Sequence, residues 1–282
     1  MKLDEDKILK LTYGDKILNF YNIIINNFSA YDLDDFIYNL NTLKVVVLPD
    51  NLDAYPFYDS RKNKLYIPRK GLKDEYIYHE LFRMLSTYHL KDAIYSGFAT
   101  INKKNNESIG KGLNEGYTQV LVDHYFKDNE DTNNYYAVEK HIASHLESII
   151  EPKTMERYYM NSDLEDLVYD LNRFSETKEE VTNFINNIDS ISEDISNNID
   201  INSISNKIND VLRFLLNEYI VKQTMLYHRL LIDDNTFKTN IENYLKSISS
   251  PILYKDSTYQ VMSINDVENI LGTNSLEVEK TR

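Results

Sequence analysis

Apolar residues recur along most of this chain at helical spacing. Residues 15–28 carry them at intervals of three and four, which predicts an amphipathic helix, and the same pattern predicts a second helix over 32–40. The period changes at residues 43–48, where a β-branched run ends at Pro49 and indicates a buried strand. The chain therefore begins with helices and then enters a sheet.

A hairpin and two further helices are predicted next. Residues 55–58 and 64–67 have the character of short strands, and the polar residues 59–63 between them suit a turn. Apolar periodicity then predicts helices over 73–88 and 113–126.

From residue 134 onward the pattern is almost entirely helical. Capping boxes, in which a hydroxyl residue precedes a glutamate by three positions, begin at Ser162 and Thr177. Isoleucines keep helical spacing through 186–209, with a break expected near 198–200. Two short strands are also predicted, over 96–101 and 258–263.

This order of elements predicts an α+β fold that is predominantly helical, with a small sheet in its first half. Only 7 Gly and 5 Pro interrupt the 282 residues, which agrees with a helical protein. The polar stretch at 127–134 suggests a boundary between a first region, residues 1–130, and a helical region, residues 131–282.

Charge and composition argue against several classes of function and site. A formal net charge of −14 argues against a nucleic-acid surface and against docking on an anionic membrane. The absence of cysteine excludes disulfides, thiol catalysis and cysteine metal sites. The N-terminus is charged with no apolar run behind it, and the other apolar runs are short, so the expectation is a cytoplasmic protein without a signal peptide or a membrane span.

A His-Glu pair lies on the helix predicted over 73–88. His79 and Glu80 are followed by Arg83, one helical turn after the histidine. A zinc ion bound to a helix needs imidazoles at positions i and i+4, and the glutamate beside the first serves as general base for the metal-bound water. His79 and Glu80 match this pattern, whereas Arg83 occupies the place of the second ligand.

A second segment lies on the next predicted helix, where Asn114 and Glu115 are followed by Gln119. Together the two segments resemble the gluzincin family of zinc metallopeptidases, to which thermolysin belongs, with a degenerate H-E-x-x-R in place of H-E-x-x-H. The motif resemblance covers roughly residues 43–126. It implies a zincin-like small sheet with two site helices, followed by a helical region.

The resemblance also implies roles for these residues. Glu80 would be the catalytic base, and His79 and Glu115 would be metal ligands. Asn114 and Gln119 would support those ligands, since the family often has an acid at the position of Gln119 that hydrogen-bonds the first histidine. The cofactor would be zinc if the site is functional and none otherwise, and the partner would be a peptide or protein.

Arg83 changes the expected chemistry because a guanidinium has no lone pair to give and stays protonated. At about 4 Å from Zn²⁺ and an effective dielectric near 20, its charge would cost roughly 8 kcal/mol. A complete structural zinc site is worth about 10–16 kcal/mol. We therefore expect the guanidinium to take the metal's place between Glu115 and Glu80, leaving a pseudopeptidase whose cleft binds a peptide or protein.

Two alternatives remain open. An active metal-dependent peptidase could use an unusual ligand set completed by His89 or His124, although at 100° per residue neither shares a face with His79 or Glu115. A helical scaffold or binding module unrelated to peptidases would instead explain the helical half, where His141 and His145 have the i, i+4 spacing of a metal pair.

Overall fold

A computed structural model gives a predominantly helical α+β fold, as the sequence predicts. Helices account for 62% of the described residues, and the strands form small sheets of two to four strands. None of the helices in the described ranges is long and apolar enough to cross a membrane. The structure describes residues 1–49, 55–69, 74–126, 136–175, 177–254 and 257–262.

Helices occupy the start of the chain, the two segments that carry His79 and Glu115, and almost all of the second half. The amphipathic spacing of apolar residues explains why these segments are helical, because it gives a helix one apolar face to bury. In the second helix, for example, Ile17, Phe20 and Ile24 are all buried. A 3₁₀ turn, Ile201–Ile204, joins two long helices. The α-helices are α1 (Glu5–Leu9), α2 (Gly14–Asn27), α3 (Asp34–Thr42), α4 (Asp74–Leu85), α5 (Lys111–Phe126), α6 (Ala137–Ile150), α7 (Pro152–Met160), α8 (Leu164–Leu171), α9 (Lys178–Ser196), α10 (Ser205–His228) and α11 (Asp234–Ile248).

The described strands form three small sheets. The first has the order β1-β3-β2, with β1 parallel and β2 antiparallel to the central β3. The second is an antiparallel meander of four strands, β4 to β7, and the third is the β8–β9 hairpin. The strands are β1 (Lys44–Leu48), β2 (Phe57–Asp59), β3 (Lys64–Pro68), β4 (Thr87–His89), β5 (Ala93–Ser96), β6 (Ala99–Asn102), β7 (Ser108–Ile109), β8 (Ile252–Tyr254) and β9 (Ser257–Tyr259).

Several local predictions are confirmed. The hairpin expected from the polar turn at 59–63 is the β2–β3 pair. Thr177 is the N-cap of α9, and its hydroxyl accepts a hydrogen bond from the Glu180 backbone N–H. The break expected near 198–200 separates α9 from the 3₁₀ turn and α10.

Other local predictions are wrong in detail. The single strand expected over 96–101 is two strands, β5 and β6, because the chain reverses at Gly97, which has a φ of +54°. The helix expected to reach residue 88 ends at Leu85, since Thr87 enters the β4–β5 pair. The strand expected alone near 258 pairs with β8.

The N-terminus of α8 is another correction, since it is capped one residue later than expected. The N-cap is Asp163, whose carboxylate accepts from the Asp166 backbone N–H. The hydroxyl of Ser162 instead donates to the Ser86 carbonyl, 3.1 Å away. A long-range contact therefore outweighs the local capping box.

Both halves of the chain contribute to one hydrophobic core, from Ile8 in α1 to Ile252 in β8. Helix α5 lies inside it, and its residues from Gly112 to Val122 are all buried. A Cβ on Gly116 would lie 2.2 Å from the Glu139 carbonyl, so glycine lets α6 pack closely on α5. The expected boundary falls in residues 127–135, which lie outside the described residues, and the division at 130 stays a prediction.

Candidate functional site

Helix α4 carries the first part of the candidate site on its buried face. His79 is 0% and Glu80 1% exposed, among apolar neighbours such as Leu81 and Phe82 that fix the helix in the core. Arg83 lies one turn after His79, and its side chain keeps 20% exposure. Burial of ionisable groups at this depth requires charged or hydrogen-bonding partners.

Helix α5 supplies those partners from the opposite side. His79 Nε2 lies 3.0 Å from Glu115 Oε2, and His79 Nδ1 lies 3.1 Å from Gln119 Oε1. Glu115 and Gln119 are one helical turn apart, so both face α4. The structure thus brings His79 together with Glu115 and Gln119, which lie 36 and 40 positions away from it in the chain.

The orientation of the Gln119 amide follows from its second contact. Its Nε2 donates to Asp123 Oδ1 at 3.1 Å, and Asp123 is held in turn by Lys140 Nζ at 3.0 Å. A carboxylate only accepts, so the amide oxygen faces His79 and Nδ1 of His79 is the donor. The other ring nitrogen, Nε2, faces Glu115 Oε2.

Arg83 lies between the two carboxylates of the site. Its Nη1 donates to Glu80 Oε2 at 3.0 Å, and its Nη2 is 3.8 Å from Glu115 Oε1. The first contact is a charge-assisted hydrogen bond, and the second is an ion pair too long for a hydrogen bond. The backbone at this position is also anchored, since the Arg83 carbonyl accepts hydrogen bonds from Thr87 Oγ1 at 2.6 Å and Ser96 Oγ at 3.0 Å.

The two carboxylates have opposite electrostatic environments. Burial opposes ionisation of Glu115, but the Arg83 charge and the His79 hydrogen bond outweigh it and lower its pKa to about 2. Burial dominates at Glu80 and raises its pKa, although Arg83 opposes that effect. Arg83 thus favours the charged form of both acids.

The side chains of the site do not fit a zinc ion. A structural or catalytic zinc site needs at least three protein ligands. Within the described ranges, no three His, Cys, Asp or Glu side chains are grouped so that they could hold a metal ion. His79 Nε2 and Glu115 Oε2 are two potential ligand atoms, and the neighbouring Arg83 guanidinium has no lone pair with which to add a third.

Two residues at the start of helix α6, its N-cap Tyr136 and Glu139 in its first turn, join the site, and sequence reasoning did not assign them to it. The Tyr136 ring stacks on the His79 imidazole, with centroids 4.9 Å apart. Glu139 is 1% exposed, and neither of its carboxylate oxygens accepts a well-formed hydrogen bond in the described part of the chain. Burial raises the pKa of Glu139 to about 7, and the Glu115 charge adds to that rise. Glu139 was detectable as a charged residue on the same helical face as Ile142 and Leu146.

A third unassigned contact comes from the first sheet. The backbone N–H of Tyr58 in β2 donates to Glu80 Oε2 at 2.7 Å. No side-chain motif predicts this contact, because the donor is a main-chain group 22 positions away.

The remaining candidates lie elsewhere. Asn114 does support the local structure, but through the second sheet, since its Oδ1 accepts from the Phe98 backbone N–H at 3.1 Å. His89 is exposed in β4, and the His124 side chain is 46% exposed and lies 3.8 Å from Glu147. Both histidines considered as replacement ligands thus lie outside the cluster around Arg83.

The His141 and His145 pair has a packing role. Their rings are in edge-to-face contact with centroids 4.6 Å apart, and His145 also contacts the Tyr244 ring of α11. Burial lowers the pKa of both imidazoles. This environment favours two neutral rings in the interface between α6 and α11.

Comparisons of this chain with protein-family models, with curated proteins and with solved structures find no match.

Proposed function

We propose that this chain is a gluzincin-like pseudopeptidase, in which a degenerate metal site leaves the cleft to bind a peptide or protein. The observation that supports it most is the position of Arg83, 3.0 Å from Glu80 and 3.8 Å from Glu115. A permanent cation at this point neutralises the carboxylates that would otherwise attract a metal ion. It also supplies no ligand in return.

The state of Glu80 supports the same proposal. A general base needs a carboxylate that can approach a water molecule and take its proton. Glu80 Oε2 is instead engaged by both the Tyr58 N–H and the Arg83 guanidinium. The carboxylate that would act as the base therefore serves as a hydrogen-bond acceptor within the fold.

The proposal is tested by the variant Arg83→His, which restores the missing imidazole. The anchored carbonyl of residue 83 favours an unchanged backbone, so the substitution alters mainly the side chain. We expect the purified variant to take up one zinc ion per chain in elemental analysis. Failure of Arg83→His to bind zinc, with folding intact by circular dichroism, would argue against the gluzincin-like site.

Two controls make the result specific. Arg173→His places a new histidine at another arginine that forms an i, i+3 ion pair, and it should bind no additional zinc. The double variant His79→Ala, Arg83→His should lose the zinc that the single variant gains. Equal zinc in all three proteins would indicate surface binding.

A further inference from the structure

The second sheet has one buried face and one face open to solvent. On the buried face, Thr87, Ser96 and Ala99 are cross-strand neighbours with at most 6% exposure. Successive side chains of a strand alternate between the two faces. The open face therefore carries a row of paired residues, one from each strand: Tyr88, Tyr95, Thr100 and Ile109. All four retain solvent exposure, which reaches 42% at Ile109.

Two tyrosines form an aromatic surface at one end of this row. The rings of Tyr88 and Tyr95 are stacked, with centroids 4.9 Å apart and planes within 5° of parallel. The face of an aromatic ring carries partial negative charge, which attracts an ammonium or a guanidinium group. Because both side chains are partly exposed, a cationic side chain from outside can reach them.

Carboxylates from two helices lie close to the tyrosine pair. Burial and the neighbouring Tyr95 raise the pKa of the Tyr88 phenol. The negative charges of Asp163, the N-cap of α8, and of Asp35 in α3 raise it further. Both carboxylates are therefore near enough to act on the ring, and they reach it from different elements.

Two more carboxylates extend this acidic region along the first turn of α8. Burial raises the pKa of Asp163, and the charges of Asp166 and Glu165 add to that rise. No lysine, arginine or histidine among the described residues forms an ion pair with these three acids or with Asp35. A positively charged partner would relieve the repulsion among them.

We propose that the open face of the second sheet is a docking surface for a basic segment of a partner protein. Arginine or lysine side chains of that segment lie against the tyrosine rings, and their charges face the carboxylates. Charge complementarity selects this occupant, because the same carboxylates repel an acidic segment. The surface is formed by Tyr88 and Tyr95 with the acids Asp35, Asp163, Glu165 and Asp166. It is separate from the cluster around Arg83, so the inference does not rest on the proposed function.

Fluorescence anisotropy with a labelled hexa-arginine peptide tests this surface in the full chain, at about 0.15 M salt so that distant charges are screened. We expect Tyr88→Leu to weaken binding about threefold or more, because leucine keeps the apolar bulk but offers no ring to the cation. Tyr66→Leu is the matched control, since Tyr66 stacks on Phe57 at 4.4 Å in the first sheet, and it should bind as the wild type does. If Tyr88→Leu does not fold by circular dichroism, Tyr95→Leu takes its place.

The acids are tested by two double variants that change the net charge equally. Asp163→Asn, Asp166→Asn should also weaken binding about threefold or more, and asparagine keeps the N-cap of α8. Asp233→Asn, Asp234→Asn alters the N-cap and first turn of α11 in the same way and should have little effect.

Three results would overturn the docking surface. The first is a wild-type chain that does not bind the peptide. The second is a Tyr88→Leu affinity equal to that of the wild type. The third is an equal loss of binding in the two double variants, which would mean that the net charge of −14 attracts the peptide without a defined surface.

Discussion

Arg83 and Glu80 form an ion pair of 3.0 Å across one turn of helix α4, with side-chain exposures of 20% and 1%. The same spacing and the same distance recur at Arg173 and Asp170, where the exposures are 61% and 19%. The two pairs differ mainly in burial, so their energetic contributions should differ as well. Charges that are removed from water depend on each other far more than charges that water screens.

We therefore expect Arg83→Met to destabilise the protein by about 3 kcal/mol, because it leaves Glu80 and Glu115 buried without their cation. The matched variant Arg173→Met should cost less than ~1 kcal/mol. Urea unfolding of the three proteins measures both values. A loss at Arg83 no larger than the loss at Arg173 would show that the buried cluster does not depend on the guanidinium.

Glu139 should make the stability depend on pH above 4.5. Burial raises its pKa in the folded protein to about 7 from an ordinary value of 4.5. The unfolded chain therefore loses this proton at lower pH than the folded chain, and the stabilisation is complete below pH 4.5 and lost as the pH rises to 7. At ~1.4 kcal/mol per pH unit, the loss over this interval is about 3 kcal/mol.

The variant Glu139→Gln isolates this effect, since its amide has a similar shape and does not titrate. The difference in unfolding free energy between variant and wild type should shift in favour of the variant between pH 4.5 and 7. A difference that stays constant over this range would mean that Glu139 has an ordinary pKa in the folded protein.

His145 should lower the stability of the protein at acidic pH, whereas Glu139 lowers it as the pH rises. Burial, and to a lesser degree the neighbouring His141, lowers its pKa to about 3 from 6.5. Below pH 6.5 the unfolded chain binds a proton that the folded chain excludes, so stability falls as the pH drops from 6.5 towards 3, by up to about 1.4 kcal/mol per pH unit.

His145→Phe keeps an aromatic ring against Tyr244 and removes the titrating group. Its unfolding free energy should fall less steeply than that of the wild type between pH 6.5 and 4. Parallel pH profiles for the two proteins would contradict a neutral, buried His145.

The sequence was most informative where chemistry depends on spacing within one helix. The i, i+4 relation of Glu115 and Gln119, and the turn between His79 and Arg83, predict which side chains share a face, and the structure places these side chains in one cluster. Helical periodicity also predicts the break between α9 and α10. Both inferences need only the regular geometry of a helix.

The same reasoning could not predict contacts between elements that are distant in the sequence. Glu139 and Tyr136 reach the site because Gly116 lets α6 approach α5, and the Tyr58 N–H reaches Glu80 because β2 lies beside α4. The cap of α8 shifted for the same reason, since Ser162 was drawn to the distant Ser86 carbonyl. Local patterns cannot specify such pairings, because they depend on how the elements pack.

The zinc content of the wild-type protein tests the central claim most directly. The chain is purified without chelator, equilibrated with one equivalent of zinc, passed through a desalting column and measured by elemental analysis. If Arg83 occupies the metal's place between Glu80 and Glu115, the protein will retain far less than one zinc ion per chain. Retention of one zinc ion per chain, lost on His79→Ala, would contradict the pseudopeptidase account and indicate a working metal site.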